Sequence, residues 1–181
     1  MNLQWYPGHM TKAVRMMEEN MKLIDLVIEL LDARIPFSSK NPDIDRLAAG
    51  KLRMVVLNKS DLAKDSVNEE WLRYYRTKNL PCILYNSKSR EGIKRFTESI
   101  REVCKQKIER DLKRGIKNRS VKAMIVGIPN VGKSTLINNL AGRNAANAGN
   151  KPGVTKGKQW IRVGKELDLL DTPGILWPKF E

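Results

Sequence analysis

Gly127-Ile128-Pro129-Asn130-Val131-Gly132-Lys133-Ser134 constrains this chain more than any other stretch, because two secondary-structure regimes meet within it. Val121-Lys122-Ala123-Met124-Ile125-Val126 before it is short and apolar, as a buried strand requires, and Ser134 to Leu140 after it has helical spacing. Gly, four residues, then Gly-Lys-Ser is the spacing of a loop that cradles phosphate between a strand and a helix. The glycines let backbone N–H groups turn inward on phosphate oxygens, and the helix N-terminus adds a field that favours anions. Asn130, Val131, Gly132 and Thr135 are expected to complete the cradle. Lys133 is expected on the β- and γ-phosphates and the Ser134 hydroxyl on a magnesium ion. Taken alone, the stretch also reads as a ligand-free, Gly-rich strand-to-helix turn.

The 181 residues suffice for one well-buried α/β domain. A formal charge of +14 and a pI near 9.9 favour a polyanionic partner, RNA or a ribosomal surface, over a neutral one. Mere solubility is the alternative use of that charge. Cys82 and Cys104 form no metal-ligand spacing and read as reduced packing residues. Apolar runs such as Leu26-Val27-Ile28 are too short and too interrupted by charge to cross a bilayer, and no signal peptide is visible. The expectation is a soluble, cytoplasmic, monomeric protein.

In chain order, Trp5-Tyr6-Pro7-Gly8-His9-Met10 precedes a helix expected over Thr11–Leu23, with Pro7 and Gly8 in a turn or loop. Ile24–Leu31 reads as a central strand ending at Asp32-Ala33-Arg34-Ile35-Pro36, and Asp43–Ala49 as a short helix. Arg53–Leu57 is a second buried strand, delivering Asn58-Lys59-Ser60-Asp61. Beyond it come a helix over about 67–78, a strand over Cys82–Tyr85 and the segment Asn86-Ser87-Lys88. A long amphipathic helix over Gly92–Lys113 follows, ended by Gly115. Its end is basic, from Lys105, Lys107, Arg110, Lys113 and Arg114 to Lys117, Arg119 and Lys122, which is either a solvated face or a nucleic-acid surface. The phosphate loop and its helix come next, then a Gly- and Asn-rich segment over 141–158 containing Thr155. Gln159–Val163 and Glu166–Leu170 read as a hairpin around Gly164-Lys165, leading to Asp171-Thr172-Pro173-Gly174. The division expected is a first half over 1–114, a linker over 115–120 and a second half over 121–181.

Asn58-Lys59-Ser60-Asp61 matches the Asn-Lys-x-Asp guanine-reading box of Ras-like GTPases. Asp61 can accept from both the ring N–H and the exocyclic amine of guanine, a pair of donors that adenine does not offer. Asn58 would hold the loop and the base, and the Lys59 stem could pack over the ring. An ordinary Asn/Asp turn after a strand is the alternative. Asn86-Ser87-Lys88 is similar to the weaker Ser-Ala-Lys box, with Asn in place of Ser. Thr155 could coordinate magnesium and sense the γ-phosphate, and Asp171 and Gly174 fit Asp-x-x-Gly, with Asp171 on magnesium and the Gly174 N–H on the γ-phosphate.

These boxes stand in rotated order, base-reading first and phosphate-binding second. Together with Trp5–Met10, Asp32–Pro36, Gly127–Ser134 and Asp171-Thr-Pro-Gly-Ile-Leu-Trp-Pro178, that order resembles the circularly permuted GTPases of the YlqF/YawG group. The resemblance implies a Ras-like P-loop NTPase fold: a three-layer α/β sandwich with a mostly parallel, circularly permuted sheet. It also implies binding of GTP and GDP with magnesium, GTP hydrolysis, and action in assembly of the large ribosomal subunit through its rRNA. The family continues past Asp-x-x-Gly into a switch helix and a helical RNA-binding domain. This sequence stops at Glu181, which reads as a truncated form with weakened ribosome binding.

Ras-like enzymes carry a water-orienting Gln directly after Asp-x-x-Gly, where this chain has Ile175. A second group must therefore act on the water, or hydrolysis is slow. His9, the only histidine, is one candidate, with an ordinary pKa of about 6.5 and a Pro-Gly setting. The other is a partner or a monovalent ion, and Asn130 matches the asparagine that ligates potassium in some GTPases. Two further classes stay open: a nucleotide-gated RNA-binding module with incidental hydrolysis, and another P-loop enzyme such as an ATPase or small-molecule kinase. Asn58-Lys59-Ser60-Asp61 argues against the latter.

Overall fold

The computed structural model describes residues 8–87, 89, 91–117, 119–142 and 160–171, without the side chains of residues 8–14, 91 and 171. In chain order these form α1 (Gly8–Met21), β1 (Leu26–Asp32), α2 (Ile44–Leu47), β2 (Leu52–Asn58), α3 (Asp65–Thr77) and β3 (Cys82–Leu84). Then follow α4 (Glu91–Lys113), β4 (Val121–Val126), α5 (Lys133–Ala141), β5 (Trp160–Val163) and β6 (Leu167–Asp171).

Among the described residues there is one six-stranded sheet of order β3-β2-β1-β4-β6-β5. Every neighbouring pair is parallel except β5 with β6. All seven residues of β1 are buried, because β2 and β4 flank it and helices cover both its faces. Leu26, Ile28 and Leu30 pack with Phe96, Ile100 and Cys104 of α4 and Leu136, Ile137 and Leu140 of α5. On the opposite face, Val27 meets Met17 and Met21 of α1, and Leu31 meets Tyr75 of α3. This is the three-layer sandwich that the permuted order implied. No described helix is long and apolar enough to cross a membrane.

Several boundaries move from the sequence reading for local reasons. The helix expected from Thr11 begins at Gly8, so Gly8 and His9 belong to its first turn and not to a loop. Ile24 donates to the Met21 carbonyl (3.1 Å) in the turn after α1, which delays β1 to Leu26. α4 stops where expected: Gly115 takes φ +76°, its N–H donates to Leu112 (3.0 Å), and the Ile116 N–H reaches the Asp111 carbonyl (2.9 Å). That paired closure is the left-handed cap for which glycine carries no steric penalty.

β1 also carries a charge that its apolar surroundings conceal. Glu29 is buried, and its Oε2 pairs with the Arg53 Nη2 of β2 at 3.2 Å. Burial raises its pKa above the usual 4.5, opposed by Lys40 and Arg53. The uncharged carboxyl is the form that burial favours, so this group's contribution to stability is present at low pH and lost as pH rises through its folded pKa. Arg53→Met should therefore cost about 3 kcal/mol at neutral pH by stranding the carboxylate. In urea unfolding, the gap to the parent protein should narrow on acidification; a gap constant with pH would contradict this.

Candidate nucleotide-binding site

The five parallel strands deliver their carboxyl ends to one edge of the sheet: Asp32, Asn58, Leu84, Val126 and Asp171. The order in which strands are added reverses between β1 and β4, since β2 and β3 lie to one side and β6 and β5 to the other. The crevice at such a reversal is where open α/β sheets bind ligands.

The loop leaving β4 enters this crevice with two left-handed residues, Asn130 (φ +65°) and Gly132 (φ +101°). Gly132 is the residue before α5, and its carbonyl receives the Leu136 N–H at 2.9 Å. Lys133, Ser134 and Thr135 therefore occupy the first turn of α5, where backbone N–H groups lack intrahelical partners. Val131 is buried and plugs the loop onto the core, whereas Asn130 is exposed. A Cβ on Gly132 would come within 2.2 Å of the Asn58 Nδ2, and one on Gly127 within 2.8 Å of the Val131 Cγ1. The two glycines are required by that close approach.

The Asn58–Asp61 segment is fastened to the loop after β4. The Asn58 Nδ2 donates to the Val131 carbonyl at 2.8 Å, in a buried position. The Lys59 Nζ donates to the Asn130 carbonyl at 3.1 Å and to the Asp32 Oδ2 at 3.1 Å, with the Lys59 backbone left-handed at φ +58°. The buried Asn58 Oδ1 has no partner among the described residues. A buried amide oxygen of that kind suits a ligand or an additional donor. Asp61 is exposed, in a single 3-10 turn over Ser60–Leu62.

The end of β3 joins the same assembly. The Ser60 N–H and Oγ both donate to the Tyr85 carbonyl, at 3.2 and 3.1 Å. From α5, the Asn139 Nδ2 donates to the Ser87 carbonyl (2.9 Å) and the Tyr85 hydroxyl (3.2 Å). The Ser89 N–H reaches the Asn86 carbonyl at 3.0 Å, so Asn86 and Ser87 lie in a turn braced by the helix of the phosphate loop. Asn58, Lys59, Asn86, Ser87 and Asn130–Thr135 thus meet along one edge.

The side chains of His9 and Asp171 lie outside the described residues, as do Lys88, Thr155 and Gly174. The Asp171 backbone pairs with Ile125 of β4, one strand from the phosphate loop. Of the basic run, Lys107 is spent on Asp111 (2.7 Å) and Asp25 (3.7 Å), and Arg119 lies 3.8 Å from Asp25. Lys105, Arg110, Lys113, Arg114 and Lys117 are exposed, at the end of the sheet opposite the loops. A cleft of about 610 Å³ lined by Leu72, Arg76, Leu80, Ile83, Arg95 and Val103 sits at the amino end of β3, away from this edge.

Three groups at the site were not assigned a role from sequence. Asp32 takes the Arg34 Nε on Oδ1 (2.9 Å) and Nη2 on Oδ2 (2.8 Å), as well as Lys59. The Arg34 contacts first, then the Lys59 ammonium, hold its carboxyl far below the usual carboxylate range despite burial. Asn68 (Nδ2 to the Ser60 carbonyl, 3.0 Å) and Asn139 brace the base loop from two helices. The signal for Asp32 was its place at a strand end before Ala33-Arg34; helical asparagines give none.

Residues 122–181 match the family model described as 50S ribosome-binding GTPase. Over its whole length the chain is 52% identical to ribosome biogenesis GTPase A of Bacillus cereus, covering 61% of that protein. It spans little more than three fifths of the length of this and similar curated relatives, 61 to 64%. Among solved structures, a GDP-bound TM YlqF is similar with a TM-score of 0.65 and 26% identity, over 91% of this chain and 60% of that one. A GNP-bound YlqF from T. maritima gives a TM-score of 0.62 and 27% identity, over 93% and 60%. The Asn-Lys-x-Asp strand precedes the phosphate-loop strand in one sheet, and the chain is similar along its full sequence to ribosome biogenesis GTPase A and in fold to YlqF.

Proposed function

We propose that this chain binds GTP and GDP and hydrolyses GTP, as the nucleotide-handling part of a cytoplasmic, monomeric assembly factor for the large ribosomal subunit. The observation that carries the reading is the direct fastening of Asn58 and Lys59 to the carbonyls of Val131 and Asn130. One continuous crevice then has a base reader on one side and a phosphate cradle on the other. The names of the relatives, ribosome biogenesis GTPase A among them, support the same assignment.

In this reading Asp61 accepts the two guanine donors, Asn58 contributes its spare donor and acceptor capacity, and the Lys59 stem lies against the ring. Asn86, Ser87 and Lys88 present backbone to the guanine carbonyl oxygen. The N–H groups of Asn130–Thr135 surround the phosphates, with Lys133 on the β- and γ-oxygens. Ser134, Thr155 and Asp171 would hold magnesium, which neutralises phosphate charge, and the Gly174 N–H would meet the γ-phosphate. Ile175 cannot orient water, so His9 would take that role, and Asn130 would hold a potassium ion that supplements the positive field. The exposed Lys105, Arg110, Lys113, Arg114 and Lys117 face the phosphate backbone of rRNA.

Isothermal titration should give tight GDP binding and ADP binding at least about 10²-fold weaker, because adenine lacks the pair of donors that guanine offers the Asp61 carboxylate. Equal affinities would remove the guanine assignment. Turnover should be higher in potassium than in sodium, and His9→Ala should lower it in both while GDP affinity is retained. The same turnover in both salts excludes the ion, and an unaffected His9→Ala protein excludes the imidazole. A Lys113→Glu, Arg114→Glu, Lys117→Glu variant should bind large ribosomal subunits more weakly, with a salt slope shallower by roughly 2–3. An unchanged slope would mean that this face is merely solvated.

A further inference from the structure

Asp32 holds two cations from different segments in a nearly closed position, at 5% exposure. Arg34 grips it through Nε, Nη2 and its own N–H (2.9, 2.8 and 3.0 Å), all from two residues away. The Asp32 N–H is itself satisfied by the Ser39 Oγ at 3.0 Å, which fixes the strand end on which the carboxylate stands. The Lys59 ammonium then reaches across from the end of β2, 3.1 Å from the Asp32 Oδ2 and 3.1 Å from the Asn130 carbonyl. Lys59 is thus fixed at both ends, by a left-handed backbone (φ +58°) and by two acceptors, one at the end of β1 and one in the loop after β4.

We propose that Asp32 is a positioning residue for the purine: by anchoring the Lys59 ammonium, it stretches the lysine stem into a fixed apolar ledge on which the base rests. The inference rests on the pocket being a guanine-nucleotide site, and it adds what makes that site ready before the ligand arrives. A free lysine side chain loses several rotamers when a ring packs on it, whereas an anchored one has already lost them. The Asn130 carbonyl alone is a neutral acceptor and holds an ammonium less firmly than a carboxylate does. Asp32 therefore sets the lifetime of the bound nucleotide, while choice of base stays with Asp61.

The test is a double-mutant cycle read by stopped-flow dissociation of N-methylanthraniloyl-GDP. Asp32→Asn and Lys59→Met should each speed dissociation about tenfold, and the double variant should be no faster than either, because both remove one interaction. Arg34→Gln should stay within about twofold of the parent, and Asp32→Asn should keep the parent's ratio of GDP to inosine diphosphate affinity. Additive effects in the cycle, an Arg34→Gln protein as fast as Asp32→Asn, or an altered ratio would overturn the proposal. If Asp32→Asn does not fold, Lys59→Met carries the test alone, and an unchanged dissociation rate there overturns it. A parent protein that takes up no labelled GDP refutes the nucleotide reading and this inference together; a parent that binds while the cycle is additive refutes only this inference.

Discussion

Two side-chain contacts to backbone carbonyls, Asn58 to Val131 and Lys59 to Asn130, hold together segments 73 and 71 residues apart in the chain. Each segment alone is a common turn. Joined, they define a crevice whose width is set by one amide and one ammonium. Gly132 follows from this contact, since the Asn58 amide occupies the volume that any Cβ there would fill. Asn130 and Lys59 both take left-handed backbone, which a side-chain-bearing residue adopts only when its surroundings compensate. The bond between them, reinforced by Asp32, is that compensation.

The parallel sheet explains why the order of the boxes along the chain does not matter. Strand direction determines where a loop emerges, and β1, β2, β3, β4 and β6 all emerge at the same edge. α4 carries the chain from the base-reading strands back to the start of β4, and its Phe96, Ile100 and Cys104 are core residues. That helix is therefore packed structure as well as a connection. Its basic end lies at the opposite pole from the nucleotide crevice, which separates a surface suited to a polyanion from the site suited to a nucleotide.

The parts of the fold governed by short-range pattern were legible in the sequence. Val121–Val126 was placed to the residue because an apolar run met a glycine loop, and Gly115 marked the end of α4 because few other residues take its φ. Asn58 and Lys59 stood out in the sequence as part of an Asn-Lys-x-Asp box, but their hold on the phosphate loop did not, because a contact across more than seventy residues leaves no local trace. Glu29 and Asp32 were hidden for the same reason. One sits in an apolar run and is explained only by Arg53 on the next strand; the other is an ordinary strand-ending aspartate until Lys59 arrives. The start of α1 was misplaced because Pro7-Gly8 was read as a break, whereas Gly8 already lies in the helix.

Amide hydrogen exchange, followed while GDP is titrated into the protein, tests the single-crevice claim most directly. If the base and phosphate loops form one pocket, protection should appear together in residues 58–62, 85–87 and 130–135, with one common midpoint in GDP concentration. Protection limited to 130–135, with the Asn58–Leu62 and Tyr85–Ser87 amides exchanging as in the free protein, would contradict it.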